Sequence, residues 1–449
     1  MATGKNNIEW YQQNFDLLEK SLNGGSTTRL HSARKQAMKR FSDLGFPTLR
    51  DEEWRFTNVT PITKVPFTPV LREDQESAGA DDVRKYSYAE LQSIQLVFVD
   101  GHFRKDLSSL SNAGERIVIS DLGSIISSEG NPALEALTRD ALAGYDALTA
   151  LNTAFLQDGA FISVPKGVTL EVPIHLLYLA SRRNQPFLSS PRNLILAGPD
   201  SRVSIVETYA GLTDNLYFTN AVSDIVLSEG ATVEHDKLQI ESENAYHIGA
   251  IYIRQHARSS YTANSISLGG SIVRNTVVAV LEEEHSECTL NGLALGTGKQ
   301  LVDNHTVIDH ASPNCSSHEL YKSVLDGRAK GVFNGKIFVR KDAQKTDAKQ
   351  TNKTLLLSDE ATIDTKPQLE IFADDVKCTH GATVGQLDDE QVFYLRSRGV
   401  GLDDARDILT YAFASDIIRR VHVQPLREQL EGMIQARLNR GRIQGLETE

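Results

Sequence analysis

Cysteine is scarce in this sequence. Three cysteines, Cys288, Cys315 and Cys378, occur among 449 residues, and they lie far apart. An odd number of widely spaced cysteines builds neither a disulfide framework nor a zinc site of the CxxC type. This usage is typical of a reducing compartment, and we expect a cytoplasmic protein.

Long apolar runs and an excess of basic residues are also missing. The chain has 47 Lys and Arg against 59 Asp and Glu, a formal net charge of −12. Because phosphate groups are neutralised by Lys and Arg, this balance argues against a dedicated binder of nucleic acid or of an anionic membrane. Residues 1–15 lack the apolar core of a signal peptide, and no stretch approaches the roughly 18 apolar residues of a membrane span. We expect no nucleic-acid or membrane partner.

The motifs that define common nucleotide-dependent and hydrolytic enzymes are absent as well. Gly298-Lys299 and Gly335-Lys336 are Gly-Lys pairs, but neither has the preceding glycine or the following Ser or Thr of a phosphate-binding loop. The sequence has no G-x-G-x-x-G, G-x-S-x-G or H-E-x-x-H pattern. We expect that the chain is not an enzyme and does not hydrolyse ATP by itself.

The N-terminal part, residues 1–60, has helical periodicity. Apolar residues recur at three- and four-residue steps from Ile8 to Leu22 and again from Leu30 to Leu44. Residues 61–95 contain several prolines and an acidic run, which is typical of a linker or an exposed loop. We therefore predict a small helical domain followed by a linker.

Residues 96–385 have an apolar period of two. Short runs rich in Val, Ile and Thr are separated by Gly and Asn, and helical periodicity is clearest at residues 134–151. This pattern favours a mainly β body over alternating strands and helices. Its length suits a parallel β-helix, in which each coil packs on its neighbours, but no strict repeat is visible and a sandwich stays open.

Helical patterns return in residues 386–449. Asp388 with Gln391 three residues later predicts the start of one helix. Asp403 places negative charge at the start of the next helix, and Pro425 opens the last. Three arginines stand near the end of the chain: Arg437, Arg440 and Arg442. This helical tail either docks a partner or packs on the β body.

Seven of the twelve histidines lie between His235 and His318. His305, His310 and His318 stand near Cys315 and form a possible transition-metal site, because imidazole and thiolate are both suitable ligands. On a straight strand, however, His305 and His310 are five residues apart and would face opposite sides. We therefore favour satisfied or solvent-facing histidines over a metal site here.

Cys378, Thr379 and His380 form a better-defined candidate site. Side chains two residues apart on a strand share a face, so the thiol and the imidazole project together. Lys377 would favour the metal-binding thiolate, and Asp374 would share the same face if the strand were regular. On spacing alone, a buried cysteine beside a histidine at a strand end is the favoured interpretation.

The cysteine count bears on iron–sulfur chemistry. A cluster usually takes four protein ligands, mainly cysteine thiolates. Three scattered cysteines cannot supply them. A chain that handled iron or clusters would therefore have to share ligands with another chain.

Three segments resemble the SufB/SufD family of iron–sulfur cluster assembly proteins, and in particular its SufD branch. They are QLEIFADDVKCTHGATVGQLDDEQVFYLRSRGV (368–400), the stretch 302–340 and DEEWRFTNVTPI (51–62). The resemblance implies a right-handed parallel β-helix core flanked by N-terminal and C-terminal α-helical domains. It also implies a complex with one SufB-like subunit, paired through the β-helix, and two copies of a SufC-like ABC-type ATPase, bound to the C-terminal helices.

By position in the motif, the resemblance places Cys378 and His380 at the interface with the SufB-like subunit. It implies that His380, together with a cysteine of that partner, binds iron or a nascent cluster transiently. We therefore expect no tightly bound cofactor in this chain. Whether two copies form a homodimer without the partner stays open.

Other interpretations remain beside this one. The chain could be a purely structural subunit of the same complex, with Cys378 and His380 as packing residues. A β-helix carbohydrate-active enzyme would use paired carboxylates such as Asp374 and Asp375, but the helical tail and the lack of a secretion signal disfavour it. A SufB-like homodimer that builds clusters alone is disfavoured by the cysteine count.

Overall fold

The computed structural model describes residues 3–22, 28–71, 78–88, 91–110, 117–127 and 146–446. Two short 3₁₀ turns occupy Glu52–Trp54 and Lys105–Leu107. The helices are α1 (Thr3–Ser21), α2 (Arg29–Leu44), α3 (Thr60–Thr63), α4 (Ala80–Tyr86), α5 (Leu122–Ser127), α6 (Ala147–Ala154), α7 (Asp389–Ser397), α8 (Leu402–Ile418) and α9 (Gln424–Leu446).

The strands are short at first and then reach a nearly constant length from the ninth onward. They are β1 (Thr68–Pro69), β2 (Ile94–Val99), β3 (His102–Phe103), β4 (Val118–Asp121), β5 (Ala160–Val164), β6 (Ile174–Ala180), β7 (Phe187–Ser189), β8 (Arg192–Ala197), β9 (Arg202–Gly211), β10 (Phe218–Leu227), β11 (Thr232–Ile240), β12 (Tyr246–Gln255), β13 (Ser260–Ser267), β14 (Ile272–Leu281), β15 (Glu287–Gly296), β16 (Leu301–His310), β17 (Ser316–Leu325), β18 (Lys330–Val339), β19 (Asp347–Leu356), β20 (Thr362–Ile371) and β21 (Lys377–Gly385).

These strands form two facing sheets in the described part of the chain. The first sheet has the order β20-β18-β16-β14-β12-β10-β8-β5-β4, and the second has the order β21-β19-β17-β15-β13-β11-β9-β6-β2-β3. From β8 onward, successive strands alternate between the two sheets, and each pairs in parallel with the strand of the next coil. This arrangement confirms the predicted parallel β-helix and excludes the sandwich.

Each coil turns at a residue in the left-handed backbone region. The turn residues lie 27 to 31 positions apart, as from 258 to 285 and from 314 to 345. The backbone N–H at one turn donates to a carbonyl of the next coil, as from Asp200 to Glu229 at 2.9 Å. The turn residues are Asp200, Gly230, Arg258, His285, Asn314 and Lys345. The coil repeat therefore exists in the structure although no residue type marks it in the sequence.

Alternate residues of each strand point into the lumen between the sheets and form the main hydrophobic core. This core includes Ile205, Ile251, Leu290 and Phe333, all of them buried. The period of two in the sequence is thus the alternation between the lumen and the outer face of the solenoid.

The predicted N-terminal helical domain is present as α1 and α2. Their buried side chains, among them Tyr11, Leu18 and Phe41, pack with Phe218 and Ile272 on the outer face of the first sheet. The N-terminal domain is therefore attached to the flank of the solenoid rather than standing apart from it.

Residues 61–95 differ from the predicted linker. They contain α4 and the short strand β1, and Phe67, Val83 and Tyr86 are buried. These apolar side chains anchor the segment to the body, which the prolines and the acidic run did not reveal. The acidic run at 72–77 and residues 89–90 lie outside the described residues.

The predicted helix at 134–151 falls partly outside the described residues, which resume at 146. There the helix α6 begins at Ala147, capped by the Asp146 carboxylate that accepts the backbone N–H of Thr149 at 2.8 Å. Every residue of α6 is buried.

The C-terminal helices begin where the sequence predicted. Asp388 caps α7 by accepting the backbone N–H of Glu390, and Pro425 lies in the first turn of α9. Ile417 of α8 and Leu430 of α9 pack with Leu238 and other apolar side chains on the outer face of the second sheet. This face of the tail therefore packs on the β body. None of the helices, over their described residues, is long and apolar enough to cross a membrane.

Candidate functional site

The C-terminal end of the solenoid is open. β20 and β21 are the last strands of the two sheets, and each has a described neighbour on one side only. Three large apolar side chains are exposed along these strands and the adjoining turn: Ile371, Phe372 and Val384, with exposed fractions of 39%, 59% and 45%. This end, which we call the open end, therefore presents unpaired backbone groups together with apolar surface.

Cys378 and His380 lie at this end, at alternate positions of β21. In the register with β19 they pair with Ala348 and Gln350, both buried, so the two side chains share the luminal face. Cys378 packs beside Ile337 and Val339 of the opposite sheet. The thiol and the imidazole thus stand side by side at the mouth of the lumen.

The carboxylate of Asp374 is not part of this row. Asp374 and Asp375 lie in a bend before β21, so the condition of a regular strand is not met. Asp375 forms an ion pair with Lys345 of the preceding coil. The bend interrupts the strand alternation before β21, and the ion pair ties Asp375 to the turn of the preceding coil.

The Cys378 thiol is not activated in this chain. Partial burial raises its pKa above the ordinary value, and the negative charge of Asp347 adds to the rise. The expectation that Lys377 would favour the thiolate is not met, because Lys377 occupies an exposed position on the other face of the strand. The thiol is therefore protonated at neutral pH until another group stabilises the thiolate.

The imidazole of His380 is exposed, and it makes no hydrogen bond or ion pair with any described residue. Both of its ring nitrogens are therefore open to an incoming ligand or to a group of a partner chain. Neutral imidazole is a common ligand of transition metals.

The other candidate histidines do not converge. His305 faces outward from β16 and contacts Glu53, with 2.6 Å between Nε2 and Oε2. His310 faces inward and lies 2.9 Å from the hydroxyl of Ser317. His318 is exposed on the outer face of β17. The opposite orientation of His305 and His310, predicted from their spacing, is confirmed.

Across the described ranges, no three His, Cys, Asp or Glu side chains are arranged to hold a metal ion. The open end supplies two ligand types, one thiol and one imidazole, from Cys378 and His380. A complete coordination shell at this place needs ligands from outside the described chain.

The lumen also contains a buried polar network that sequence analysis missed. Lys237 Nζ donates to His247 Nε2 and to Asn275 Oδ1, both at 2.9 Å, and His247 Nδ1 lies 2.7 Å from Glu241. Burial lowers the pKa of Lys237 to about 8. Lys237, His247 and Asn275 come from three different strands of the solenoid, so only the coil register brings them together.

A second polar pair lies directly below the open end. Gln350 Nε2 donates to Glu319 Oε2 at 2.6 Å, and both side chains are buried. Burial raises the pKa of Glu319 to about 7, although the hydrogen bond from Gln350 opposes the rise. The two residues are 31 positions apart in sequence, which is why no local motif revealed them.

Helix α7 follows β21 and presents aromatic side chains to solvent. Phe393 and Tyr394 have exposed fractions of 72% and 57%, and the Arg398 guanidinium lies 5.0 Å from the centre of the Tyr394 ring. Aromatic and arginine side chains are the residues enriched at the centres of protein interfaces. This cluster, which we call the α7 patch, is a second candidate interaction surface.

Comparison with protein families covers nearly the whole chain. The family described as "SUF system FeS cluster assembly, SufBD core domain" matches residues 178–413. The family described as "SufBD protein N-terminal region" matches residues 1–176. The two matches together include the helical N-terminal domain, the solenoid and the start of the C-terminal helices.

Several relatives align over most of their length. An iron–sulfur cluster assembly SufBD family protein of Synechocystis sp. is 33% identical over 432 residues, which are 93% of each chain. The iron–sulfur cluster assembly protein SufD of Escherichia coli is 30% identical over 420 residues, 92% of this chain and 94% of the relative. SufD of Bacillus subtilis is 26% identical over 300 residues, 65% of this chain and 67% of the relative.

Proposed function

This chain belongs to the SufBD family of iron–sulfur cluster assembly proteins, and we propose that it is a SufD-like scaffold subunit without ATPase activity. In this proposal it pairs with a SufB-like subunit through the open end and docks a SufC-like ATPase through its C-terminal helices. It contributes interface ligands for iron or a nascent cluster. The observation that carries the proposal is the incomplete ligand set of Cys378 and His380 on an unpaired edge strand.

The open end supports pairing with a second β-helix. An edge strand offers a row of unpaired N–H and C=O groups, and an added strand satisfies them. Here both sheets end in such a strand, β20 and β21, and exposed apolar side chains stand beside them. A partner with the same architecture would extend both sheets and bury Phe372 and Val384. Without that partner, two copies of this chain would be the competing pair.

The ligand chemistry supports a shared site. Cys378 and His380 point from β21 to the lumen mouth, where the end of a partner would face them. An iron–sulfur cluster usually takes four protein ligands, so the SufB-like subunit has to supply the remaining thiolates. Iron and sulfide are the cargo of this site rather than a resident cofactor of the chain.

The C-terminal helices offer a path from an ATPase to the solenoid. Lys322 on β17 donates to the backbone carbonyl of Phe413 at 3.0 Å and pairs with Asp416 at 2.9 Å, both on α8. Along the chain, α7, which carries the α7 patch, connects the edge strand β21 to α8. An ATPase bound to this patch would pull on the strand that carries Cys378 and His380.

The test is a reconstituted complex of this chain with a SufB-like subunit and a SufC-like ATPase, supplied with ferrous iron, a sulfide source and ATP. We expect His380→Ala to lower bound iron and acid-labile sulfide by roughly tenfold, as loss of a group that sets metal affinity does. His318→Ala is the matched control, because His318 is exposed on the outer face of β17. It should leave both quantities unchanged.

Two outcomes would contradict separate parts of the proposal. A normal cluster yield with His380→Ala would remove the ligand role and leave a purely structural subunit. Failure of the wild-type chain to co-purify with either partner would remove the scaffold role itself.

A further inference from the structure

Three side chains form a row along the luminal face at the open end. His380 on β21 is in register with Gln350 on β19, and Gln350 is in register with Glu319 on β17. Neighbouring strands of a sheet lie about 4.8 Å apart, so residues in register on one face are in direct reach of each other. Gln350 therefore stands between the imidazole and the carboxyl group.

The amide of Gln350 is held in one orientation. Its Nε2 donates to Glu319 Oε2 at 2.6 Å. On the opposite side of the lumen the backbone of β18 closes in, and a Cβ at Gly335 would overlap the same amide nitrogen. The Oε1 and Nε2 atoms of an amide point in different directions from Cδ. Because Nε2 of Gln350 points toward β17, its Oε1 points away from β17.

That oxygen is buried and lacks a donor. Gln350 has an exposed fraction of 1%, and its Oε1 has no hydrogen-bond partner in the described structure. A buried acceptor left unpaired costs about 1–3 kcal/mol, so a donor that reaches it gains binding free energy. His380, the in-register neighbour on the other side of Gln350, carries such a donor on its ring.

We propose that Gln350 is a positioning residue for His380: when the SufB-like subunit covers the open end, the imidazole, which is unbonded in the isolated chain, donates one N–H to Gln350 Oε1, and the other ring nitrogen is thereby left unprotonated and aimed at the shared site. This inference rests on the proposed function, in which His380 is a ligand. Metal-binding histidines generally donate their second N–H to a carbonyl or carboxylate oxygen, which fixes the tautomer and the ring orientation. Glu319 acts indirectly, because it accepts the hydrogen bond from Nε2 that fixes the orientation of the Gln350 amide.

The first test reads the tautomer of His380 directly. The full-length chain is labelled with ¹⁵N-histidine, alone and in complex with an unlabelled SufB-like subunit, and two-bond ¹H–¹⁵N correlations report which ring nitrogen is protonated. His380→Ala identifies the signals. In the complex we expect a single dominant tautomer in the wild type and a mixture close to that of free histidine in Gln350→Leu, whereas both proteins should show the mixture without the partner. Gln350→Glu keeps an acceptor oxygen and should restore one tautomer.

Asn352→Leu is the matched control. Asn352 lies on the same luminal face of β19, is buried, and also has an unpaired side-chain oxygen, but its neighbour in register on β21 is Ala382. Both leucine variants remove one buried amide from one strand. Equal melting temperatures for the two, with a changed tautomer ratio in Gln350→Leu alone, would support positioning. The same tautomer ratio in the complexes of wild type and Gln350→Leu would overturn it.

The second test separates this inference from the proposed function. Co²⁺ is the probe, because its absorption spectrum reports thiolate and imidazole ligation in the complex with the SufB-like subunit. We expect Gln350→Leu to weaken Co²⁺ binding about tenfold and Asn352→Leu to leave it unchanged. If the tautomer shifts while His380→Ala binds Co²⁺ normally, the ligand role fails and the Gln350–His380 hydrogen bond stands. If His380→Ala abolishes binding while Gln350→Leu does not change it, the positioning role fails alone.

Discussion

The guanidinium carbon of Arg274 lies 3.8 Å from the centre of the Trp54 ring. Arg274 also contacts Asp303 at 2.6 Å, and Thr57 donates to the same carboxylate oxygen at 2.6 Å. The segment that resembles the family near the N-terminus therefore lies flat on the first sheet, held by a stacked and hydrogen-bonded arginine. This contact joins the N-terminal domain to the same solenoid that ends in the open end.

Replacing Arg274 with Met should destabilise the protein by about 3–5 kcal/mol, because it leaves the buried carboxylate of Asp303 without its cation. Urea or guanidinium denaturation followed by circular dichroism measures this free energy of unfolding. The control is Arg254→Met, which breaks the half-exposed ion pair with Glu282 and should cost at most about 1 kcal/mol. Equal effects of the two substitutions would show that the buried pair contributes no more than a surface one.

Stability should also depend on the Glu319 carboxyl. Burial raises its pKa from 4.5 to about 7 in the folded chain, so the unfolded chain releases this proton at lower pH than the folded chain does. The contribution of Glu319 is therefore fully present below pH 4.5 and is lost as pH rises to about 7. Between pH 5 and pH 8, the free energy of unfolding of the wild type should fall by roughly 2–3 kcal/mol relative to that of Glu319→Gln.

Denaturation of both proteins at the two pH values tests this dependence, with the difference between them as the quantity of interest. The Gln variant cancels the contributions of all other titrating groups. Parallel pH profiles for wild type and variant would mean that Glu319 titrates normally in the folded chain.

The open end should be sensitive to proline at alternate positions of β21. The backbone N–H of Lys377 donates to the carbonyl of Thr346, the residue before β19. In a parallel strand, the backbone N–H groups of every second residue point toward the same neighbouring strand. The N–H of Val384 therefore points away from β19. Val384→Pro should weaken binding of the SufB-like subunit at least tenfold while leaving the melting temperature close to that of the wild type.

Thr383→Pro is the matched change, because it removes an N–H that points toward β19. It should lower the free energy of unfolding by about 1–3 kcal/mol through the carbonyl left unpaired in the sheet. Isothermal titration calorimetry with the SufB-like subunit and thermal unfolding separate the two effects. Undiminished binding of Val384→Pro would show that the partner does not pair along this edge.

The α7 patch should bind the ATPase. The double substitution Phe393→Ser with Tyr394→Ser should weaken binding of the SufC-like subunit at least tenfold, since exposed aromatic side chains are frequent interface hot spots. Its melting temperature should not fall, because both rings are exposed. Leu17→Ser, at an exposed position of α1, is the control and should bind normally. Retained binding by the double variant would place the ATPase elsewhere.

The sequence was sufficient for those features that depend on short spacing. The apolar period of two, the cap at Asp388, and the shared face of Cys378 and His380 all follow from neighbours within a few positions. The opposite orientations of His305 and His310 follow in the same way. Each of these is fixed by strand or helix geometry alone.

The features that escaped prediction depend on the register between coils. Gln350 and Glu319 meet across 31 positions, and the coil length varies, so no fixed spacing identifies such pairs. The turn residues gave no signal either, because the left-handed position is occupied in turn by Asp, Gly, Arg, His, Asn and Lys. In the predicted linker, the local signal of prolines and acidic residues hid Phe67 and Val83, whose burial is decided by the surface they meet.

The coils stack at a fixed spacing, so the solenoid can lengthen only by whole coils. Each added coil would carry the mouth of the lumen about 4.8 Å farther from the helices on its flank, and a few extra residues would have to bulge at a corner instead of lengthening the stack. Evolution can therefore resize this scaffold only in whole steps. The distance between the N-terminal helices on the first sheet and the Cys378–His380 pair at the open end is therefore set by the number of coils between them.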